Sequence, residues 1–111
     1  MKKYMLLGVA SSALLAAPAV FGADAGDNYA KYCASCHGSD GGGHTKAGRL
    51  LKVKDLTDAQ YQKSFTDDTA FTDLKEGSKN KDGVVQMKPM KDKLSDDEIK
   101  AVVAYIRKFV K

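Results

Sequence analysis

The stretch Tyr32 to Gly38, YCASCHG, holds both cysteines of the chain, Cys33 and Cys36, with His37 directly after them. Three chemistries use cysteines spaced this closely: a reversible dithiol, a metal site and the covalent attachment of a haem. Each requires a different fold around the motif. The rest of the sequence therefore has to distinguish between them.

The first residues have the composition of a secretory signal peptide. Lys2 and Lys3 form a positively charged start, and Met5 to Ala17 is an apolar run without a charge. A membrane-spanning helix is the weaker alternative, because it needs about 20 apolar residues. We therefore predict a signal peptide over residues 1–23 and export of the protein to the periplasm. The candidate cleavage positions are Ala19, Gly22, Ala23 and Ala25.

The remaining residues, 24–111, are expected to form one small domain without stable membrane insertion. Without Lys2 and Lys3, the formal net charge falls from +4 to +2. So small an excess, with acids and lysines interspersed, does not suit a nucleic-acid binder. Apolar burial alone gives a domain of this length only marginal stability. Cys33 and Cys36 close too small a loop to act as a stabilising cross-link, so a bound cofactor is favoured.

Apolar spacing in the first half of the domain predicts helices joined by loops. A helix over 24–37 runs directly into the cysteines, and the glycines that follow end it. The next helix begins at Thr57, with Gln60 as its capping-box partner and Tyr61 and Phe65 on one face. An irregular segment between these helices is expected to supply three core contacts: Leu50, Leu51 and Val53.

The second half of the domain is predicted as a short helix, a loop and a longer helix. The short helix covers Ala70 to Glu76, and residues 78–93 form a polar loop in which Val84-Val85 is too short for a strand. Ser95 and Glu98 form the capping box of the last helix. Its apolar residues recur at spacings of three and four: Ile99, Val102, Val103, Ile106, Phe109 and Val110.

This helical pattern favours haem attachment over the two other chemistries. A thioredoxin-like dithiol would stand in a βαβ unit, which is not predicted. Zinc would need four ligands, and His44 would have to join the three residues of the motif in a cramped arrangement. On a helix, Cys33, Cys36 and His37 share one face. The two thiols can then reach the vinyl groups of one porphyrin while the imidazole reaches its iron.

The ordered set of CASCHG, the loop VVQMKPMKDK and the helix LSDDEIKAVVAYIRKF resembles the small monohaem class I cytochromes c of bacteria. The resemblance covers the whole of residues 24–111. It implies an all-α cytochrome c fold, in which three to five short helices wrap around one covalently attached haem. The first and last helices are then expected to cross near four residues: Gly26, Tyr29, Val102 and Tyr105.

The resemblance also implies the ligands of one haem c and its iron. Cys33 and Cys36 would form the thioethers, and His37 would be the proximal ligand. Met87 takes the place of the distal ligand, and Met90 takes the apolar position after it and is the alternative ligand.

Relatives commonly carry a proline after the glycine-rich loop, near the proximal histidine, and this chain has none between Pro18 and Pro89. A backbone carbonyl within residues 47–51 is therefore expected to accept the Nδ1 proton of His37. His44 is expected to be a solvated loop residue.

The function implied is one-electron transfer between redox proteins rather than enzyme activity, because histidine and methionine would fill both axial positions. Lys88, Lys91 and Lys93 flank the methionine loop and are expected to steer acidic partners towards it. The protein is expected to be a monomer that binds no nucleic acid. Two alternatives remain: a haem sensor or peroxidase-like protein with a labile sixth site, and an electron-entry subunit of a larger redox enzyme.

Overall fold

A computed structural model describes residues 21–111 of the chain. Most of the predicted signal peptide lies outside the described residues. Within them, no helix is long and apolar enough to cross a membrane. The elements in chain order are α1 (Phe21–Tyr32), α2 (Ala34–His37), α3 (Lys46–Leu51), α4 (Ala59–Lys63), α5 (Asp67–Glu76), β1 (Ser78–Lys79), β2 (Val85–Met87) and α6 (Asp96–Arg107).

Helix α6 forms as its sequence predicts. The Ser95 hydroxyl accepts a hydrogen bond from the Glu98 N–H at 3.1 Å, and the Glu98 carboxylate accepts one from the Ser95 N–H at 2.9 Å. This capping box satisfies two backbone donors that a helix start leaves unpaired. Ile99 is fully buried, and Val102, Val103 and Ile106 join it in the core. Val110 was predicted on this face, but α6 ends at Arg107 and Val110 is 42% exposed.

Helices α1 and α6 cross at the predicted residues. The Tyr29 ring lies 5.3 Å from the Tyr105 ring and 5.0 Å from the Phe109 ring, measured between centroids. Tyr29 and Val102 are among the most deeply buried side chains of the described chain. A Cβ atom on Gly26 would lie 3.5 Å from the Tyr105 ring, which is an ordinary contact. The crossing therefore does not depend on a glycine at this position.

A buried amide links α4 to α6. The Gln62 side chain donates to the carbonyls of Leu56 and Ile106, at 2.8 and 2.9 Å. Its own oxygen accepts from the Arg107 guanidinium at 2.9 Å, and Arg107 also pairs with Asp67 at 2.9 Å. Every polar atom of the Gln62 side chain is thus satisfied, as burial requires.

Two sequence predictions for the region before α4 are wrong. Residues 46–51 form α3 rather than an irregular segment, and Leu50 is 74% exposed and Leu51 41% exposed. The residue that α3 buries is Gly48, and Leu50 lies two positions later, on the opposite side of a helix. Val53 is half-buried.

Helix α4 does not begin with Thr57 as its cap. The cap is Asp58, whose carboxylate accepts from the Gln60 N–H at 2.9 Å. The Thr57 hydroxyl instead donates to the Asp55 carboxylate at 2.6 Å. The prediction that Tyr61 and Phe65 share a face is confirmed, since their ring centroids are 5.1 Å apart.

The region after α5 is not the continuous loop that was predicted. Helix α5 begins at Asp67, capped by Thr66, and is followed by an antiparallel hairpin of β1 and β2 in which Ser78 pairs with Met87. Between the two strands, the Asn80 side chain accepts from the N–H groups of Asp82 and Val84. The helical part of the predicted fold is therefore confirmed, with a small sheet added before the methionine loop.

Candidate haem-binding site

Cys33 lies at a short break between α1 and α2, and Cys36 lies within α2. Cys33 stands between the helices, its N–H donating to the Tyr29 carbonyl at 2.8 Å and its carbonyl accepting from the His37 N–H at 2.9 Å. The predicted continuous helix over 24–37 is thus interrupted at one residue. Cys33, Cys36 and His37 still occupy a single turn, the arrangement that the spacing predicts.

Both cysteine thiols are free and half-buried. Burial, with a smaller contribution from Cys36, raises the pKa of the Cys33 thiol to about 11. A catalytic dithiol has the opposite property, because its attacking cysteine needs a lowered pKa to be a thiolate at neutral pH. The site is therefore poorly suited to thiol–disulfide exchange.

His37 presents a half-buried imidazole next to these thiols. Its pKa is lowered by burial, an effect that the Lys54 carbonyl partly opposes. Nδ1 has no hydrogen-bond partner among residues 21–111, so the predicted hydrogen bond to a carbonyl within residues 47–51 is not formed in the structure. A neutral imidazole with an unsatisfied buried nitrogen, one turn from two free thiols, fits the donor set of a c-type haem.

The backbone around His37 is held by hydrogen bonds to the carbonyls of three consecutive residues. The Cys36 carbonyl accepts from the Thr45 hydroxyl at 2.9 Å, and the His37 carbonyl accepts from the Gly43 N–H at 2.7 Å. The Gly38 carbonyl accepts from the Tyr29 hydroxyl at 2.6 Å. Neither Tyr29 nor Thr45 was predicted to have this role, because the contacts join residues from different elements.

The glycine-rich loop after His37 packs against the end of the chain. Gly41 has a φ of +80°, and a Cβ atom there would lie 2.8 Å from the Phe109 ring. The Leu56 N–H donates to the Gly41 carbonyl at 2.8 Å. The glycine-rich loop is thus held against the core by packing on Phe109 and by the hydrogen bond from Leu56.

The two loop methionines have different surroundings. Met90 is buried, and its N–H donates to the Leu74 carbonyl at 2.9 Å. Met87 is the last residue of β2, is half-buried, and contacts the same core cluster that Cys33 contacts. A Cβ atom on Gly77 would lie 2.8 Å from the Met87 carbonyl oxygen, so the end of α5 fixes the start of this loop.

The other predicted site residues are on the surface. His44 is exposed, as expected. Lys88, Lys91 and Lys93 are also exposed, and Lys91 pairs with Glu76 at 3.3 Å. In the part of the chain that the structure describes, no three histidine, cysteine or acidic side chains are grouped as they would be around a protein-bound metal ion.

Comparison with known proteins gives a consistent result. Residues 23–109 match the family model named Cytochrome c. The solved structure of the KustC0563 c-type cytochrome is 33% identical with a TM-score of 0.69, and the match covers 79% of this chain and 99% of that one. A tyrosine-to-phenylalanine mutant of Kustc0563 gives 31% identity and a TM-score of 0.66, with coverages of 78% and 98%. No curated protein matches the chain.

The motif, the helical fold and these similarities agree with one another. The family match includes α1, both cysteines, the methionine loop and α6. The chain therefore belongs to the cytochrome c family, as a small c-type cytochrome that carries electrons on a covalently bound haem c and its iron.

Proposed function

We propose that this protein is a periplasmic one-electron carrier in which Cys33 and Cys36 hold the haem through thioethers and His37 and Met87 are the axial ligands. The observation that carries the proposal is the grouping of the half-buried His37 imidazole with two free thiols within a single turn of the chain. The periplasmic location rests on the leader-like sequence before Ala17.

A haem c with histidine and methionine ligands, once bound, changes between its ferric and ferrous states without exchanging ligands. The residues of this chain supply the conditions for that. Burial keeps the His37 ring neutral, the form in which it can bind a metal. With both axial positions taken, the haem would leave no open coordination position for a substrate, which favours a carrier over an enzyme.

Met87 is the better candidate for the distal ligand on physical grounds. Met90 lies within the core cluster, and its backbone is tied to α5, so its side chain acts as an apolar contact. Met87 is half-buried at the end of a strand, where Gly77 and Pro89 restrict the backbone on either side. The Met87 side chain is therefore fixed through its backbone but is not fully buried in the core.

The partners are proposed to be redox proteins that dock near the methionine loop. Lys88 and Lys93 are exposed and form no ion pair within residues 21–111, while Lys91 is only weakly engaged by Glu76 at the surface. Three cations beside the distal ligand would attract an acidic partner and orient it.

Spectroscopy and redox titration of the purified, exported protein test this function. We expect haem that resists acid–acetone extraction, a potentiometric titration that fits one electron, and no rapid binding of carbon monoxide or cyanide. Extractable haem would refute the thioether assignment. Immediate ligand binding to the wild-type protein would instead support the sensor or peroxidase-like alternative.

A further inference from the structure

The hydrogen bonds on the three carbonyls of residues 36–38 have a functional consequence. The last carbonyls of a helix have no intrahelical partner, and in an exposed helix water can satisfy them. At the end of α2, the Thr45 hydroxyl donates to the Cys36 carbonyl and the Gly43 N–H to the His37 carbonyl. The Gly38 carbonyl accepts from the Tyr29 hydroxyl at 2.6 Å and, at the longer distance of 3.2 Å, from the Gly41 N–H. The peptide groups on both sides of His37 are thus held by donors from outside α2.

Tyr29 is the buried side chain among these donors. It is 2% exposed, and its ring is packed against the rings of Tyr105 and Phe109. This packing restricts the position of the hydroxyl that donates to the Gly38 carbonyl. Gly38 has a φ of +82°, which begins the turn that returns the Gly43 N–H to the His37 carbonyl.

Thr45 holds the peptide group on the other side. Its hydroxyl donates to the Cys36 carbonyl at 2.9 Å and accepts from the Gly48 N–H at 2.8 Å. The same oxygen therefore caps α3 and fixes the peptide that precedes His37. Rotation of the His37 backbone would break a hydrogen bond on one side or the other.

We propose that Tyr29 is a positioning residue for the axial histidine: its hydroxyl fixes the backbone after His37 and thereby the orientation of the imidazole, with Thr45 fixing the backbone before it. This inference rests on the proposed role of His37 as a ligand. Tyr29 donates its hydroxyl to the Gly38 carbonyl and would act on the imidazole through that backbone group.

The test uses Tyr29→Phe in the haem-loaded protein, with Tyr105→Phe as the matched control. Both changes remove a hydroxyl from the same aromatic cluster, but it is the Tyr29 hydroxyl that donates to the Gly38 carbonyl. We expect Tyr29→Phe to shift the haem methyl resonances of the ferric protein and to raise its reduction potential, because a less firmly held imidazole stabilises the ferric state less. Tyr105→Phe should leave both unchanged.

A second pair of variants covers the case in which Tyr29→Phe does not assemble. Thr45→Val removes the hydroxyl and should produce the same shifts, whereas Thr45→Ser keeps it and should restore the wild-type spectrum. Unchanged resonances and potential in the assembled variants would overturn the proposal, even if their resistance to urea falls.

Histidine labelled with ¹⁵N separates this proposal from the one on which it rests. A strongly shifted His37 ring resonance in the wild-type protein shows that His37 is a ligand. If that resonance is not shifted, the ligand assignment and this proposal both fail. If it is shifted but does not move in the variants, the positioning role alone fails.

Discussion

A methyl group on Gly48 would overlap the carbonyl oxygen of Cys36, so the backbone of α3 lies directly against the segment that carries the second cysteine. The same methyl group would stand 2.6 Å from the Gly43 carbonyl oxygen and 2.9 Å from the Thr45 hydroxyl. The carbonyl oxygens of Cys36 and Gly43 and the hydroxyl of Thr45 therefore all lie so close to Gly48 that a side chain there would not fit.

Gly48→Ala is expected to destabilise the protein, although alanine is normally the better helix former. Overpacking at such a contact lowers the free energy of unfolding by about 1 to 3 kcal/mol. Gly26→Ala is the matched control, because that helical glycine has room for a methyl group at 3.5 Å from Tyr105. Urea unfolding of the two variants measures the difference, and equal stability would contradict the packing argument.

Met87→Ala is expected to abolish the weak sulfur-to-iron absorption band at the red end of the ferric spectrum and to open the site to small ligands. Met90→Ala should keep that band and lower the free energy of unfolding by about 2 to 4 kcal/mol, the cost of truncating a buried side chain. Absorption spectra and urea titrations of both variants make the comparison. The reverse pattern would exchange the roles of the two methionines.

Replacing Cys33 and Cys36 together by alanine is expected to leave a poorly folded chain. Without covalent attachment the haem is readily lost, and the remaining apolar core is too small to keep the fold stable. Far-ultraviolet circular dichroism of the purified double variant measures this. Native-like helical content without haem would show that the polypeptide does not depend on it.

Reversing the charge of Lys88, Lys91 and Lys93 to glutamate is expected to slow electron exchange with an acidic redox partner, mainly at low ionic strength. Salt screens such surface charges, so the difference from wild type should shrink as salt is added. Stopped-flow rates over a series of salt concentrations test this. The same charge change is made, as a control, at three exposed lysines on other parts of the chain: Lys63, Lys108 and Lys111. An equal effect of the two sets would remove the docking proposal.

Glu98→Gln is expected to remove one component of the acid sensitivity of the fold. The Ser95 N–H, followed by the Ser95 hydroxyl and Asn28, lowers the pKa of the Glu98 carboxylate from its ordinary value of 4.5. The charged form therefore stabilises the folded state above that ordinary value, and the contribution is lost as the pH falls through the lowered pKa. The stability advantage of the wild type over the variant should shrink between about pH 6 and pH 3 in urea unfolding. A constant difference would show that the charge of Glu98 does not contribute.

The sequence was most informative where the signals are local. The capping box of Ser95 and Glu98 and the spacing of apolar residues in α6 lie within one element, and the structure confirms them. Helix α3 was missed because its signals are unusual. Lys52, the residue that caps the end of α3, adopts the left-handed conformation. Glycine or asparagine is usual at such a position, so a lysine there does not signal the end of a helix.

The remaining differences depend on contacts between distant parts of the chain. Strands of two and three residues are too short for alternation to reveal them, and their pairing depends on the turn at Asn80. The burial of Gln62 requires acceptors and donors from residues 56, 106 and 107. The Tyr29 hydroxyl likewise finds its acceptor only once the loop after His37 is folded.

The crossing of α1 and α6 joins residues that are far apart in the sequence. Tyr29 packs against residues near the end of the chain, and the Lys111 N–H donates to the Thr57 carbonyl at 3.0 Å. Contacts between residues so far apart in sequence form slowly, because long loops must close first. Cys33 packs against the core cluster to which α6 contributes Ile99, Val102, Val103 and Ile106. The surroundings of this cysteine are therefore complete only once α6 is in place.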